Sequence, residues 1–245
     1  MPDLRFLITA GNTRERIDAV RDWGNIFTGN TGFDIALALA DYGTVDLLTS
    51  NRNHLAAISA GLDTKHPIQA SGFASHAELR GALDAMLNRQ KYHAIFMTAA
   101  VADYRPVRSY SVLERKPADG GEGGGEDSSE EIWRVRDVQA GKVKSHHKEI
   151  AILGQQTEKL VDLFRSQWKH TGLLFKFKLE VDITRDELIR VGQSSRAASG
   201  AEYLIANSLE MVQGEKPGAF LLSDSGQEWI ERSALAKRLA QLAAK

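Results

Sequence analysis

Residues 23–32, Trp23-Gly24-Asn25-Ile26-Phe27-Thr28-Gly29-Asn30-Thr31-Gly32, set small polar side chains and glycines directly before Phe33-Asp34-Ile35-Ala36-Leu37-Ala38-Leu39-Ala40, a run of good helix formers. Backbone N–H groups at such a helix start are free to donate, and the helix dipole favours an anion there. The segment reads as a phosphate-binding helix start. The same residues would also make a loop with an ordinary N-cap, since neither a Walker pattern nor G-x-G-x-x-G is present. Gly11-Asn12-Thr13 follows the apolar run Leu4–Ala10. Gly11 permits a tight turn and close approach of a ligand to the backbone, and Thr13 offers a hydroxyl at the carboxyl end of a strand, where open α/β sheets place their ligands. Asp103, in Val101-Ala102-Asp103-Tyr104-Arg105-Pro106, follows a second apolar run on the same edge. It could bind a ribose hydroxyl or a metal ion, or cap a turn. Lys142 and Lys144, alternating along a strand, would point at an anionic ligand from one face, or form a solvated charged edge. A metal site on His146 and His147 would need a third ligand; adjacent residues in a strand point to opposite faces, and no third ligand is evident.

The elements that must position these residues alternate in type. Leu4–Ala10, Thr44–Ser50, Pro67–Ala70, His93–Ala100, Lys148–Leu153, Gly172–Leu179, Glu202–Ala206 and Ala219–Leu222 read as strands, and 132–138 as one arm of a hairpin. Helices are expected over 53–61, 75–89, 157–167 with Thr157 as N-cap, 182–198 and 233–244, the last with Leu235, Leu239 and Leu242 inward. Such alternation predicts an α/β fold: a three-layer, mostly parallel, Rossmann-like doubly wound sheet with a hairpin or flap insertion, in a single domain over 1–245. Residues 117–131 are Gly-rich, acidic and nearly free of apolar side chains, which predicts disorder.

Composition narrows the classes. The 245 residues are 42% hydrophobic, enough for one large core. A formal net charge of −1 gives no support to a nucleic-acid or membrane partner. Cysteine is absent, which removes disulfides, thiolate metal sites and a cysteine nucleophile. No signal peptide is expected from Met1-Pro2-Asp3-Leu4-Arg5, and no segment nears the roughly 18 apolar residues of a membrane span, so the reading is a cytoplasmic soluble protein.

Five stretches in order resemble one family. Ile8-Thr9-Ala10-Gly11-Asn12-Thr13-Arg14-Glu15-Arg16-Ile17-Asp18-Ala19-Val20-Arg21 is similar to its "TxGGTxExID-VR" signature. Ala99–Pro106 is similar to its "A-V-A/S-D-Y/F" motif, Lys142-Val143-Lys144-Ser145 to its lysine motif, Phe177–Asp182 to its "GFKLETD" strand end and Glu202–Asn207 to its "D-x-I-x-A-N" strand. The family is the phosphopantothenate–cysteine ligases of coenzyme A biosynthesis, and the resemblance is to the stand-alone form over nearly the whole chain. It implies Mg2+ and a nucleoside triphosphate, CTP or ATP, which activates the carboxylate of 4′-phosphopantothenate as an acyl-nucleotide before L-cysteine attacks. By the same resemblance Asn25 steadies the acyl-nucleotide, Lys142 serves the triphosphate or leaving group, Thr28 and Gly29 form the phosphate-binding turn, and Ala99 and Asp103 hold base and ribose. Gly11, Thr13, Ala100, Lys144 and Phe177 complete the implied nucleotide-binding set, the metal ligands being unassigned. A homodimer, and a flap that orders on ligand binding and brings Lys142 into place, are also implied.

Three departures stand out. Asn12 replaces a glycine, Ile26-Phe27 a small hydroxylated position, and Lys176 another glycine. The larger Asn12 and Lys176 are expected to narrow space where ligand approaches backbone, which keeps open a catalytically altered relative that binds without ligating. An NAD(P)-dependent oxidoreductase would need a glycine fingerprint that Gly11-Asn12-Thr13 lacks.

Overall fold

A computed structural model describes residues 4–118, 130–214 and 217–245. In chain order the elements are β1 (Arg5–Ala10), β2 (Arg14–Asp18), β3 (Arg21–Gly24), α1 (Asn30–Leu39), β4 (Thr44–Thr49), α2 (Arg52–Ser59), β5 (Ile68–Gly72), α3 (His76–Arg89), β6 (Ala94–Met97), β7 (Tyr104–Pro117), β8 (Glu131–Asp137), β9 (Ile150–Gln156), α4 (Leu160–Ser166), β10 (Leu173–Glu180), α5 (Arg185–Ser199), β11 (Tyr203–Ser208), α6 (Leu209–Gln213), β12 (Gly218–Ser223), β13 (Gly226–Glu231) and α7 (Arg232–Ala243). The chain divides into two compact units. One comprises residues 1–13, 25–101 and 159–245, the other 14–24 and 102–158.

The first unit is built on an eight-stranded sheet in the order β13-β12-β11-β10-β6-β1-β4-β5. The pairs from β11 to β5 are parallel, and β12 and β13 close the other side antiparallel. Alternation along β1 sends Phe6 and Ile8 into a core with Ile35, Leu39, Leu235 and Leu239, while Leu7 joins Leu79, Leu83, Ile95 and Phe164. Those partners lie on α1 and α7 for the first cluster and, apart from Ile95 on β6, on α3 and α4 for the second. A third cluster joins Leu188 of α5 to Leu204 and Leu222. Helices therefore cover both faces, and the central strands are rich in apolar residues because both faces are largely shielded from water. Emptying one of these positions, as in Phe6→Ala, would cost roughly 3–5 kcal/mol. Ser75 caps α3 by accepting from the Glu78 amide at 3.2 Å, and Glu78 reaches back to the Ala74 amide at 2.8 Å.

The second unit pairs β8-β7-β9 in an antiparallel sheet and β2-β3 in a hairpin. Thr157 belongs here and caps no helix. Its hydroxyl donates to the Ala102 carbonyl at 2.7 Å, and α4 begins later, after Lys159. Pro117 pairs with Glu131, and the Ala118 amide donates to the Glu130 carbonyl at 3.0 Å. The ladder thus takes in both ends of the stretch expected to be disordered; the disorder expected between them, at 119–129, lies outside the described residues.

Candidate functional site

β1 and β6 end side by side at the carboxyl edge of the parallel sheet, and the turn after β1 is locked to the chain after β6. Gly11 takes a left-handed conformation, φ 88°, which favours glycine. Its carbonyl accepts from the Ala100 amide at 2.9 Å, and the Thr13 amide donates to the Ala100 carbonyl at 3.1 Å. Gly11, Thr13 and Ala100 are brought together in this way. Thr13 is fully buried, so the structure packs its side chain inside instead of presenting a hydroxyl at the surface. Ala99 is half-buried, and its amide donates to the Thr9 hydroxyl at 3.1 Å.

Gly29 is the second special glycine. It sits at the N-cap of α1 with φ 80°, and a side chain there would strike the backbone of Gly11 and Ala10. A Cβ on Gly32 would likewise run into Ala10 and Thr98. The two glycines let the first turn of α1 lie directly on the end of β1. That turn has no side-chain cap and no acidic residue. Its first amides, which no helix can bond internally, suit an anion.

The turn before α1 is held from behind. Asn51 donates through Nδ2 to the Thr28 carbonyl at 3.0 Å, and the Asn30 side-chain oxygen lies 3.1 Å from His54 Nε2. His54 is buried, stacks on Phe33 at 4.4 Å and meets the Thr49 hydroxyl through Nδ1 at 3.0 Å. Thr49 Oγ1 also accepts the Asn51 amide at 3.1 Å, and His54 Nε2 lies 3.2 Å from Asn51 Nδ2 as well, so both ring nitrogens are engaged. Burial holds His54 below the ordinary histidine value, with Asp34 opposing that shift.

Asn25 stands exposed beside this edge. Its Nδ2 donates to the Ala100 carbonyl at 3.2 Å, and its own carbonyl accepts from Asn12 Nδ2. Asn12 is fixed in turn by Ser50, whose hydroxyl accepts the Asn12 amide at 2.8 Å. Each of these departures has a defined place in the structure. Asn12 clamps the Asn25 backbone. Lys176 carries its ammonium to the Ser195 carbonyl, 3.1 Å away in the last turns of α5, where a cation suits the helix terminus. Burial lowers its pKa. Ile26 projects into solvent at 85% exposure. Phe177, on β10 opposite Ile205 in register, is half-buried against the α1 and α7 core. Farther along this edge, Asp182, Ile183, Thr184, Ser208, Glu210 and Met211 line an open cavity of about 570 Å³.

Asp103, Lys142 and Lys144 belong to the second unit. Asp103 is exposed, and its carbonyl accepts the Thr157 amide at 2.8 Å. Lys142 and Lys144 are exposed on either side of buried Val143, in irregular chain and not on the strand their alternation suggests. Backbone donors and acceptors at Val143 are taken up by side chains of the β2–β3 hairpin instead of a ladder, which is why no strand forms. His146 and His147 share a turn with ring centroids 4.2 Å apart, so they do not face opposite ways. Among the described residues no group of three or more His, Asp or Glu gathers that could hold a metal ion.

Sequence reasoning missed Ser50, Asn51 and His54. The signal was available for the first two: they follow an apolar strand, just as Gly11 follows β1, and the same edge rule applies.

Residues 1–119 match the family described as DNA/pantothenate metabolism flavoprotein C-terminal domain. The chain is similar to the coenzyme A biosynthesis bifunctional protein CoaBC of Mycolicibacterium smegmatis, 33% identical over 146 residues, which is 59% of this chain and 32% of that protein. It thus spans about a third of the length of the curated relatives it matches first. The fold is shared with the DNA/pantothenate metabolism flavoprotein from Streptococcus pneumoniae, at TM-score 0.70 and 24% identity over 98% of this chain and 96% of that one. It is shared too with a Cab2 mutant in complex with phosphopantothenate-cysteine, at TM-score 0.63 and 15% identity over 98% and 85%. The matched residues 1–119, just under half of the chain, carry the Gly11, Asn25 and Gly29 turns described above, and over that stretch the chain is similar to the DNA/pantothenate metabolism flavoprotein C-terminal domain family.

Proposed function

We propose that the protein is a phosphopantothenate–cysteine ligase of coenzyme A biosynthesis. The observation that carries this reading is Asn25, an exposed carboxamide bonded to the Ala100 carbonyl on the sheet edge where Gly29 opens an uncapped helix. A carboxylate is a poor electrophile until it bears a good leaving group. In the first half-reaction an oxygen of the 4′-phosphopantothenate carboxylate attacks the α-phosphorus of CTP or ATP, and pyrophosphate leaves. In the second the cysteine amine attacks the acyl carbon, loses a proton, and the nucleoside monophosphate departs. The first-turn amides of α1 and the Thr28–Gly29 turn bind phosphate. Ala99, Ala100 and Asp103 hold base and ribose, with Gly11, Thr13 and Phe177 shaping the nucleotide site. Lys142 and Lys144 offset triphosphate charge, and Asn25 donates to the oxyanion formed when the amine attacks. The described residues offer no cage for a metal by themselves, and Mg2+ is typically held by one or two carboxylates together with substrate phosphates. Mg2+ arriving with the nucleotide would supply charge neutralisation.

A homodimer and a cytoplasmic location go with this reading. Ile132, Leu153 and Trp133 of the second unit are 62%, 51% and 43% exposed, which supports a further partner surface there. No helix among the described residues is long and apolar enough to cross a membrane.

The test is pyrophosphate release with 4′-phosphopantothenate, Mg2+ and either CTP or ATP, with and without cysteine. Turnover with one nucleotide supports the ligase and identifies its nucleotide. Asn25→Ala is expected to keep pyrophosphate release while amide formation falls roughly 10²–10³-fold, the usual loss for one oxyanion donor. Absence of turnover with both nucleotides would sink the reading and leave a binding protein.

A further inference from the structure

The signature run at 14–21 has a role in the second unit that concerns neither glycine nor phosphate. Asp18 is enclosed, with a side chain at 0% exposure. Its Oδ1 accepts the Val20 and Arg21 amides, each at 3.0 Å. Its Oδ2 accepts Arg21 Nε at 3.0 Å, Arg21 Nη2, and the Val143 amide at 3.1 Å. Arg21 Nη2 goes on to donate to the Val143 carbonyl at 2.9 Å. Both polar groups of one backbone position are thus gripped by one ion pair 122 to 125 residues earlier in the chain. The Ala19 amide donates to the Gly141 carbonyl at 2.9 Å, on the near side of Lys142. Lys142 is therefore strapped on both flanks, and Lys144 on one, although neither lysine lies in regular structure.

We propose that Asp18 is a positioning residue: by gripping the Val143 backbone it fixes the segment that presents Lys142 and Lys144 to an anionic ligand. An enclosed carboxylate with five donors is a stiffer anchor than the two or three backbone bonds a bend makes, because each bond is charge-assisted and no water takes the place of a lost donor. The proposal rests on the reading of Lys142 as a triphosphate residue, and its test separates the two.

Amide hydrogen exchange of the full chain is compared for wild type and Asp18→Asn, which keeps the shape and removes the charge. Exchange at Val143 is expected to speed up at least about tenfold, the loss of a charge-assisted bond, while the core strands of the sheet stay protected. In the pyrophosphate assay Asp18→Asn should raise the KM for the nucleotide, leave the KM for cysteine unchanged, and add nothing to a Lys142→Ala/Lys144→Ala variant. A residue that only supports folding would lower the amount of active protein without moving KM, and its loss would multiply with that of the two lysines. Unchanged exchange at Val143, or multiplying losses, overturns the proposal. If Asp18→Asn does not fold, Arg21→Lys serves, since it leaves the carboxylate and removes the strap to the Val143 carbonyl; faster exchange over 141–144 is expected and an unchanged pattern counts against. If the wild type itself releases no pyrophosphate, the ligase reading falls, and the exchange result alone decides the anchoring.

Discussion

The two edges of the parallel sheet in the first unit are built on opposite plans. At the amino edge charged and polar side chains are paired with one another. Asp46 is buried and accepts from Tyr92 at 2.9 Å and Gln90 at 2.6 Å, with Arg5 3.7 Å away. Burial pushes the Tyr92 phenol well above its ordinary range. Nearby, Arg165 holds Glu202 at 2.8 and 2.7 Å, and Glu202 accepts the Leu174 amide at 2.7 Å. The carboxyl edge has no such ion pairs in its Gly11–Asn25–Gly29 region. It is made of glycines in left-handed turns, neutral amides and a helix start without a side-chain cap. The difference teaches where a ligand belongs. Charges that satisfy one another stabilise a fold and have little left for a substrate, whereas backbone donors held in place by neutral side chains remain available to one.

The comparison can be broken or sharpened by substitution. The largest effect is expected from Gly29→Val, which combines a positive φ with a clash against Gly11. It should destabilise by roughly 3 kcal/mol or more, seen as a lower denaturation midpoint. A near-normal midpoint would mean the turn is less tightly packed than described. Next comes Asp46→Ala, which strands Tyr92 and Gln90 and should cost about 2–3 kcal/mol while leaving the activity of the folded fraction unchanged. A change in KM there would undo the separation of the two edges. Ser75→Ala, removing the cap of α3 away from both edges, should cost only about 1 kcal/mol by the same measurement.

The smallest effect is one of pH, and it touches both edges. His54 near the carboxyl edge and His170 near the amino edge are each held below the ordinary histidine value of 6.5, in both cases chiefly by burial. The unfolded chain then takes up protons first as pH falls. Their contribution to stability is complete above about 6.5 and is lost as pH drops through the lower folded values. Melting temperature should fall over that window, and His54→Phe or His170→Phe should each flatten part of the slope.

Much of this was legible in the sequence, for physical reasons that also mark where reading stops. Buried parallel strands such as Arg5–Ala10 and Thr44–Thr49 announce themselves because apolar side chains fall on both faces. Strand β7 does not. Register shifts between Pro106 and Arg108 and between Val112 and Glu114 break its alternation, so no period of two survives over its fourteen residues. The β2–β3 hairpin is short and mostly charged, and all four residues of β3 are exposed. Gly29 and Gly32 were readable as special, but their tight packing on β1 was not, because a glycine's neighbours across the fold leave no local trace. Asp18 reads as one more charge in a polar run until its partner at 143 is known.

That separation of 125 residues between Asp18 and Val143 has a consequence for how the chain is made. A ribosome adding roughly 5–20 residues per second reaches position 143 about 6–25 seconds after position 18. Through that interval the β2–β3 hairpin lacks the Val143 segment that Asp18 and Arg21 grip, and a two-stranded hairpin alone is marginal in water. The second unit therefore cannot mature until its last segment emerges, and its contacts are of the long-range kind that form slowly. Synthesis arrested before residue 143 should leave the hairpin segment open to protease, and release should close it.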